Sequence, residues 1–249
     1  MASSTNYRIH QNYLFRVFQT IFSFITLKLT QIRNLIFQYS SNIVLDEVIF
    51  FDFETTGLNP YHSKIIEYCF IVNNDENSGI SDIVDPEEKI DKIITDITGI
   101  HPDMFEGKLP INEHIHIIYN FINGTYKNSV FSNERKYLVA HNCHGFDKIF
   151  LERALFDYKQ NNANATTSNF IYVDSLLLAR KLLPQLRSHS MASLAKHYKI
   201  SEGGHRAKTD VLCLKKVYQN LLVDLSNELK LPVQYFNQYP QVVVDYTAF

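Results

Sequence analysis

The chain predicts an α/β domain beginning near Glu47, and three observations carry that prediction. Val48–Phe53 is an apolar run ending in two acids, the pattern of a central strand buried on both faces. Shorter apolar runs follow it, separated by turn-forming residues. Interleaved with these are segments whose apolar residues recur at three- and four-residue steps, the helical period. In order, Ile65–Val72 and Ile80–Val84 read as the second and third strands, with links at Asn59-Pro60 and Asn73–Gly79 short enough for antiparallel neighbours. Asp91–Thr98 and Ile111–Ile122 read as helices. Tyr137–Ala140 is a fourth strand and Phe146–Tyr158 a helix. The polar stretch Asn161–Ser168 is a loop, and Phe170–Val173 is a fifth strand entering a helix from about Ser175, which Pro184 stops. Ser190 is placed to cap a short helix through Tyr198, and Thr209–Leu225 forms the last long helix. After Pro232 the pattern gives no clear assignment.

Residues 1–45 have a different character. They hold Arg8, Arg16, Lys28 and Arg33 and no acid, whereas the remaining 204 residues hold 20 basic and 26 acidic side chains. Between Tyr13 and Phe37 a broad apolar face opposes a polar one, as in an amphipathic helix. Its uncharged stretch, Val17–Leu27, is too short to span a bilayer, which takes about 20 residues. An organellar transit peptide, an interfacial or partner-binding helix over residues 13–37, and a helix packed on the domain all fit this composition. The chain thus divides into a basic amphipathic extension (1–45), a domain (46–228) and a tail (229–249). Cys69, Cys143 and Cys213 are odd in number and unclustered, so they imply no disulfide framework and suit an intracellular, reducing location.

Acidic motifs carry the chemistry. Phe51-Asp52-Phe53-Glu54-Thr55-Thr56-Gly57 comes first, and in a strand Asp52 and Glu54 leave the same face. His141-Asn142-Cys143-His144-Gly145-Phe146-Asp147 follows, then His205-Arg206-Ala207-Lys208-Thr209-Asp210. Carboxylates gathered from such distant places repel one another unless compensated, and hard oxygen ligands suit magnesium or manganese. His141, Cys143 and His144 are too crowded for a structural zinc site. Asp174, between a strand and Ser175, reads as a helix cap.

This ordered set resembles the DEDDh branch of the DnaQ-like 3′–5′ exonucleases over roughly residues 46–225. Thr98-Gly99-Ile100, Tyr172-Val173-Asp174-Ser175 and Ser193-Leu194-Ala195 are similar to family segments lying between the motifs. The six-residue step from His141 to Asp147 is similar to the TREX-type members, which favour DNA ends. The resemblance implies an RNase H-like fold, a five-stranded mixed sheet of three antiparallel and then two parallel strands, flanked by helices. It implies two Mg²⁺ or Mn²⁺ ions served by Asp52, Glu54, Asp147 and Asp210. It implies His205 as the general base, a role that suits an imidazole near neutral pH. Thr55 and Thr56 would offer backbone groups to the terminal nucleotide, and Leu58 and Ile100 would wedge against its base. The expected activity is metal-dependent removal of mononucleotides from a free 3′ end, of DNA before RNA, by a protein that could form homodimers. An exoribonuclease of the same family and a catalytically silent nucleic-acid-binding module are the alternatives. The acidic excess of the domain predicts weak non-specific affinity and a short substrate footprint.

Overall fold

The computed structural model of the chain describes residues 47–73, 75–124, 135–163, 165–167, 169–201 and 203–248. Residues 1–45 and 46–249 separate into two units. The amphipathic helix expected over residues 13–37 lies outside the described residues. Among those residues, no helix is long and apolar enough to cross a membrane.

Five strands form one sheet in the order β3-β2-β1-β4-β5. They are β1 (Glu47–Thr55), β2 (Ile65–Val72), β3 (Asp75–Ile83), β4 (Lys136–Ala140) and β5 (Phe170–Asp174). β1 pairs antiparallel with β2, and β2 with β3, while β1 with β4 and β4 with β5 are parallel. The expected mixed sheet is therefore present. The helices are α1 (Lys92–Thr98), α2 (Ile111–Ile122), α3 (Asp147–Asn161), α4 (Ser175–Leu182), α5 (Met191–Tyr198), α6 (Ala207–Leu229), α7 (Val233–Gln238) and α8 (Gln241–Ala248).

Both faces of the sheet are covered, and the alternation along β1 shows how. Ile49, Phe51 and Phe53 join Phe70, Leu138 and residues of α2 and α3 in one apolar cluster. Val48 and Phe50 join Ile71, Val139, Val173 and residues of α4, α5 and α6 in the other. Fully burying a side chain of this kind contributes about 1.5–3 kcal/mol, so the strand's register is strongly set. One residue of slip would exchange the two faces. Asp52 and Glu54 continue the Val48–Phe50 row, which directs them to the side that α6 covers.

Two segments depart from the sequence expectation. β3 begins at Asp75, not near Ile80, and pairs Asp75 with Val72, so the link after β2 is shorter than expected. The polar run 75–79 resembles a loop in sequence. It occupies the sheet's edge, where one flank faces no neighbour and polar residues are tolerated. The tail after Pro232 forms α7 and α8, whose Phe236 and Val243 are fully buried in the cluster that includes α6. Its sparse apolar residues, spread over two short helices, leave too weak a period to read.

Candidate active site

The site opens where β1 outruns β4. Their parallel pairing runs from Glu47↔Lys136 to Phe50↔Val139, and the chain turns away after Ala140. That leaves one edge of Phe53 without a strand partner, and its N–H donates to Asp147 Oδ1 at 3.3 Å. Asp147 is the first residue of α3 and is 2% exposed. The change from an antiparallel to a parallel neighbour at β1 is the kind of strand end where α/β sheets place their sites.

From the other side comes the start of α6. Asp210 lies in its first turn, and one oxygen each from Asp52, Glu54 and Asp210 lie within 4.8 Å of one another. These three, His205 and His141 line one pocket. The segment carrying His205 is irregular and tightly specified. His205 itself adopts φ +51°, a left-handed conformation that costs a non-glycine residue energy. Gly203 has no room for a side chain, because a Cβ there would fall 1.6 Å from Asp210 Oδ1. Any larger residue would displace the carboxylate.

One ion pair ties this segment to the sheet. Glu67 on β2, 6% exposed, accepts from Arg206 Nε at 3.1 Å and from its NH2 group at 2.8 Å, and from the Ala207 N–H at 2.9 Å. Glu67 is also the cross-strand partner of Glu54. The arginine fork and the first amide of α6 are thus fastened to the strand beside the acidic pair. The sequence reading passed over Glu67. Its signal was an acid inside the otherwise apolar run Ile65–Val72, a buried charge that requires a partner.

The electrostatics match a cation site. Burial, then repulsion from Asp147, Glu54, Asp210 and Glu67, pushes Asp52 well above the ordinary carboxylate range. Burial and the charges of Asp210, Glu67 and Asp147 push Glu54 up to about 8, against a smaller opposing pull from Arg206. Asp147 is raised to about 7 by burial, although the N–H of Phe53 pulls the other way. Asp210 is raised by burial and lowered in part by His205. Acids that resist ionising together are stabilised as carboxylates by a divalent cation, and an all-oxygen donor set fits a hard one. Asp52, Glu54 and Asp210 would hold it. Asp147 is not among the residues lining that pocket, and its charge acts on Asp52 and Glu54.

The remaining expected residues lie apart from that pocket. The buried Thr55 donates its hydroxyl to Gly57 O at 2.7 Å. Thr56 donates its N–H to Lys64 O at 2.8 Å and its hydroxyl to Glu88 Oε1 at 2.8 Å. The Thr56 amide expected at the terminal nucleotide is therefore already taken by the turn after β1. Leu58 is 86% exposed and open to a ligand, whereas Ile100 has no exposed surface to wedge against a base in this arrangement. His141 bonds Ser175 Oγ at 2.9 Å. Asp174 accepts the Leu176 N–H at 2.9 Å as the cap of α4. Among the described residues, no cluster of potential metal ligands includes His141, Cys143 or His144.

Comparison with known proteins agrees with this geometry. The family model RNase T, described as an exonuclease, matches residues 49–218. The chain therefore belongs to that exonuclease family. As a member of that family it is an exonuclease domain, and its cluster of Asp52, Glu54 and Asp210 fits a divalent metal. It is 31% identical over 189 residues to a DNA polymerase III PolC-type from Clostridium perfringens, and 30% identical over 175 residues to one from Mycoplasma genitalium. Those matches cover 75% and 68% of this chain but only 12% and 11% of the relatives, so the chain spans about a tenth of their length. The fold is similar to that of an exonuclease I structure, with a TM-score of 0.58 at 18% identity over 81% of this chain and 43% of the other. Exonuclease X in complex with 5′-overhanging duplex DNA gives a TM-score of 0.50 at 22% identity, covering 79% and 99%.

Proposed function

We propose that the chain removes mononucleotides from a free 3′ end of DNA, using the DEDDh arrangement with His205 as general base. The observation that carries this reading is the convergence of Asp52, Glu54 and Asp210 within 4.8 Å in a pocket that His205 also lines. A silent binding module would have no use for such a concentration of acid where a phosphate must sit. The PolC-type relatives are named as DNA polymerases, and exonuclease I is known in complex with dT13, which favours DNA. The step from His141 to Asp147 supports the TREX-like variant of the pattern.

In this reading Asp52, Glu54 and Asp210 would hold a pair of magnesium or manganese ions, and the buried Asp147 would add negative charge near them. Such ions, when bound, activate the attacking water and stabilise charge on the departing oxygen. His205 Nδ1 or Nε2 takes the proton that the water gives up. Its exposed position at the pocket lets that proton pass on to solvent. Leu58, protruding beyond β1, contacts the terminal base without regard to sequence.

Oligonucleotides labelled at either end, of DNA and of RNA, test the reading with magnesium, manganese or EDTA. Mononucleotides should appear from the 3′ end of DNA and disappear with EDTA. Release from the 5′ end first, or a preference for RNA, would overturn the polarity or the substrate.

A further inference from the structure

Beside the acidic pocket lies a second opening of opposite character. It is lined by His141, Asn142, Arg180, Arg187 and His189, with Leu176, Ser188 and Ser190 completing it, and it contains no carboxylate. His141 belongs to the walls of both openings, and Ser190 of this cleft adjoins Met191 of the acidic pocket. We propose that the cleft between Arg180 and Arg187 is a phosphate-binding subsite for the substrate strand on the 5′ side of the scissile bond. The inference rests on the exonuclease reading above and extends it from the terminal nucleotide to the strand behind it.

Charge supplies the first argument. Other basic side chains close to acids are committed: Arg206 to Glu67, Lys136 to Glu47, Lys108 to Asp82 and Lys92 to Asp96. Arg180 and Arg187 are exposed, and neither side chain has an ion pair or hydrogen bond among the described residues. Guanidinium groups meet phosphate oxygens with two parallel hydrogen bonds, a geometry an ammonium cannot match. A strand whose last nucleotide occupies the acidic pocket continues in one direction only. Its next phosphates carry full charge past several carboxylates, and the neighbouring acid-free cleft relieves that repulsion.

The frame of the cleft supplies the second. Arg180 projects from the last turn of α4, and Arg187 from the turn between α4 and α5. That turn is pinned by His189 Nε2 to Leu183 O at 2.9 Å and by the Leu186 N–H to Leu183 O at 3.0 Å. Ser190 then caps α5 by accepting the Ser193 N–H at 3.3 Å. His141, which directly follows β4, lines the cleft together with His189. Arg187 is thus presented from a braced turn, and Arg180 from the end of the helix that leads into it.

The test compares two substrates in wild type and Arg180→Ala/Arg187→Ala. The p-nitrophenyl ester of thymidine 5′-phosphate ends at the scissile phosphate and never reaches the cleft. Single-stranded oligo(dT) does. The double variant should hydrolyse the ester as wild type does, while its KM for oligo(dT) rises by about tenfold or more for each arginine lost. The slope of log KM against log salt should fall by about 1.4, roughly 0.7 for each phosphate contact on a single strand. Unchanged KM and salt slope would overturn the subsite while leaving the exonuclease reading intact. Equal losses on ester and oligonucleotide would also overturn it, since the arginines would then be acting on the catalytic centre or the fold. Failure of wild type to cleave either substrate would remove the exonuclease reading, and the subsite with it.

Discussion

On one wall of the acidic pocket, Asp52 and Glu54 belong to a strand whose alternation and pairing settle where they point. On the other wall, His205 and Asp210 follow an irregular segment. It contains a left-handed histidine and a glycine with no room for a Cβ, and the Glu67–Arg206 ion pair ties it to the sheet. The strand wall is specified by local order, repeated at every residue. The loop wall depends on a few tertiary ties, each of which a single substitution can cut. Catalysis needs both walls in register, so changes outside the acids should harm activity chiefly through the loop wall.

The largest effect expected from that wall is the loss of the proposed base. His205→Asn suits this test better than His205→Ala, because asparagine tolerates the left-handed backbone that His205 adopts. Turnover should fall by about 10²–10⁴-fold with little change in KM. A variant that keeps nearly full kcat would place the base elsewhere and make the loop wall a mere scaffold for Asp210.

Cutting the tie itself should cost less. Glu67→Gln keeps the size of the side chain and loses the charge that Arg206 grips, so kcat should fall by about 10–100-fold, as for groups that orient metal ligands. Glu67→Asp separates two explanations. It keeps the negative charge near the pocket but shortens the reach to Arg206 and to the Ala207 amide. If Glu67 positions the segment, the aspartate variant should be impaired much as the glutamine one is. Full activity in Glu67→Asp would mean that its charge matters and its grip does not.

The same contrast explains what could be read from sequence. The strand wall was legible because a period of two and an apolar run mark a buried strand without reference to anything distant. The strand and the shared face of Asp52 and Glu54 followed from it, while the mixed order of the sheet came from the family resemblance. Asp210 and His205 were legible only through family resemblance, since nothing local in His205–Asp210 shows which strand it approaches. Glu67 was overlooked because its partner lies 139 residues away. Ile100 was expected to meet substrate and is buried, because a motif gives a residue's neighbours in sequence and not its exposure. The tail from Pro232 was unreadable for a related reason. Phe236 and Val243 each complete a core built by other elements, and no stripe of their own announces them.

The smallest expected effect concerns stability and is read on Glu54 of the strand wall. In the metal-free protein Glu54 takes up its proton at about pH 8, against an ordinary value of 4.5, chiefly because it is buried. Between those two values the folded chain holds a proton that the unfolded chain has released. Stability therefore declines as pH rises through that window, and the full penalty is present above it. Glu54→Gln removes the titration, so in EDTA the variant should melt higher than wild type at about pH 9, with a margin that narrows toward about pH 5. A gain on the order of 1 kcal/mol would appear as about 2–4 °C in a domain of this size. Magnesium should reverse the ranking, since the cation relieves the repulsion in wild type and finds one ligand fewer in the variant. A wild-type melting temperature in EDTA that does not fall from about pH 5 to 9 would mean that the wall's acids are not in competition. The case for a cation as their natural counterweight would then lose its physical basis.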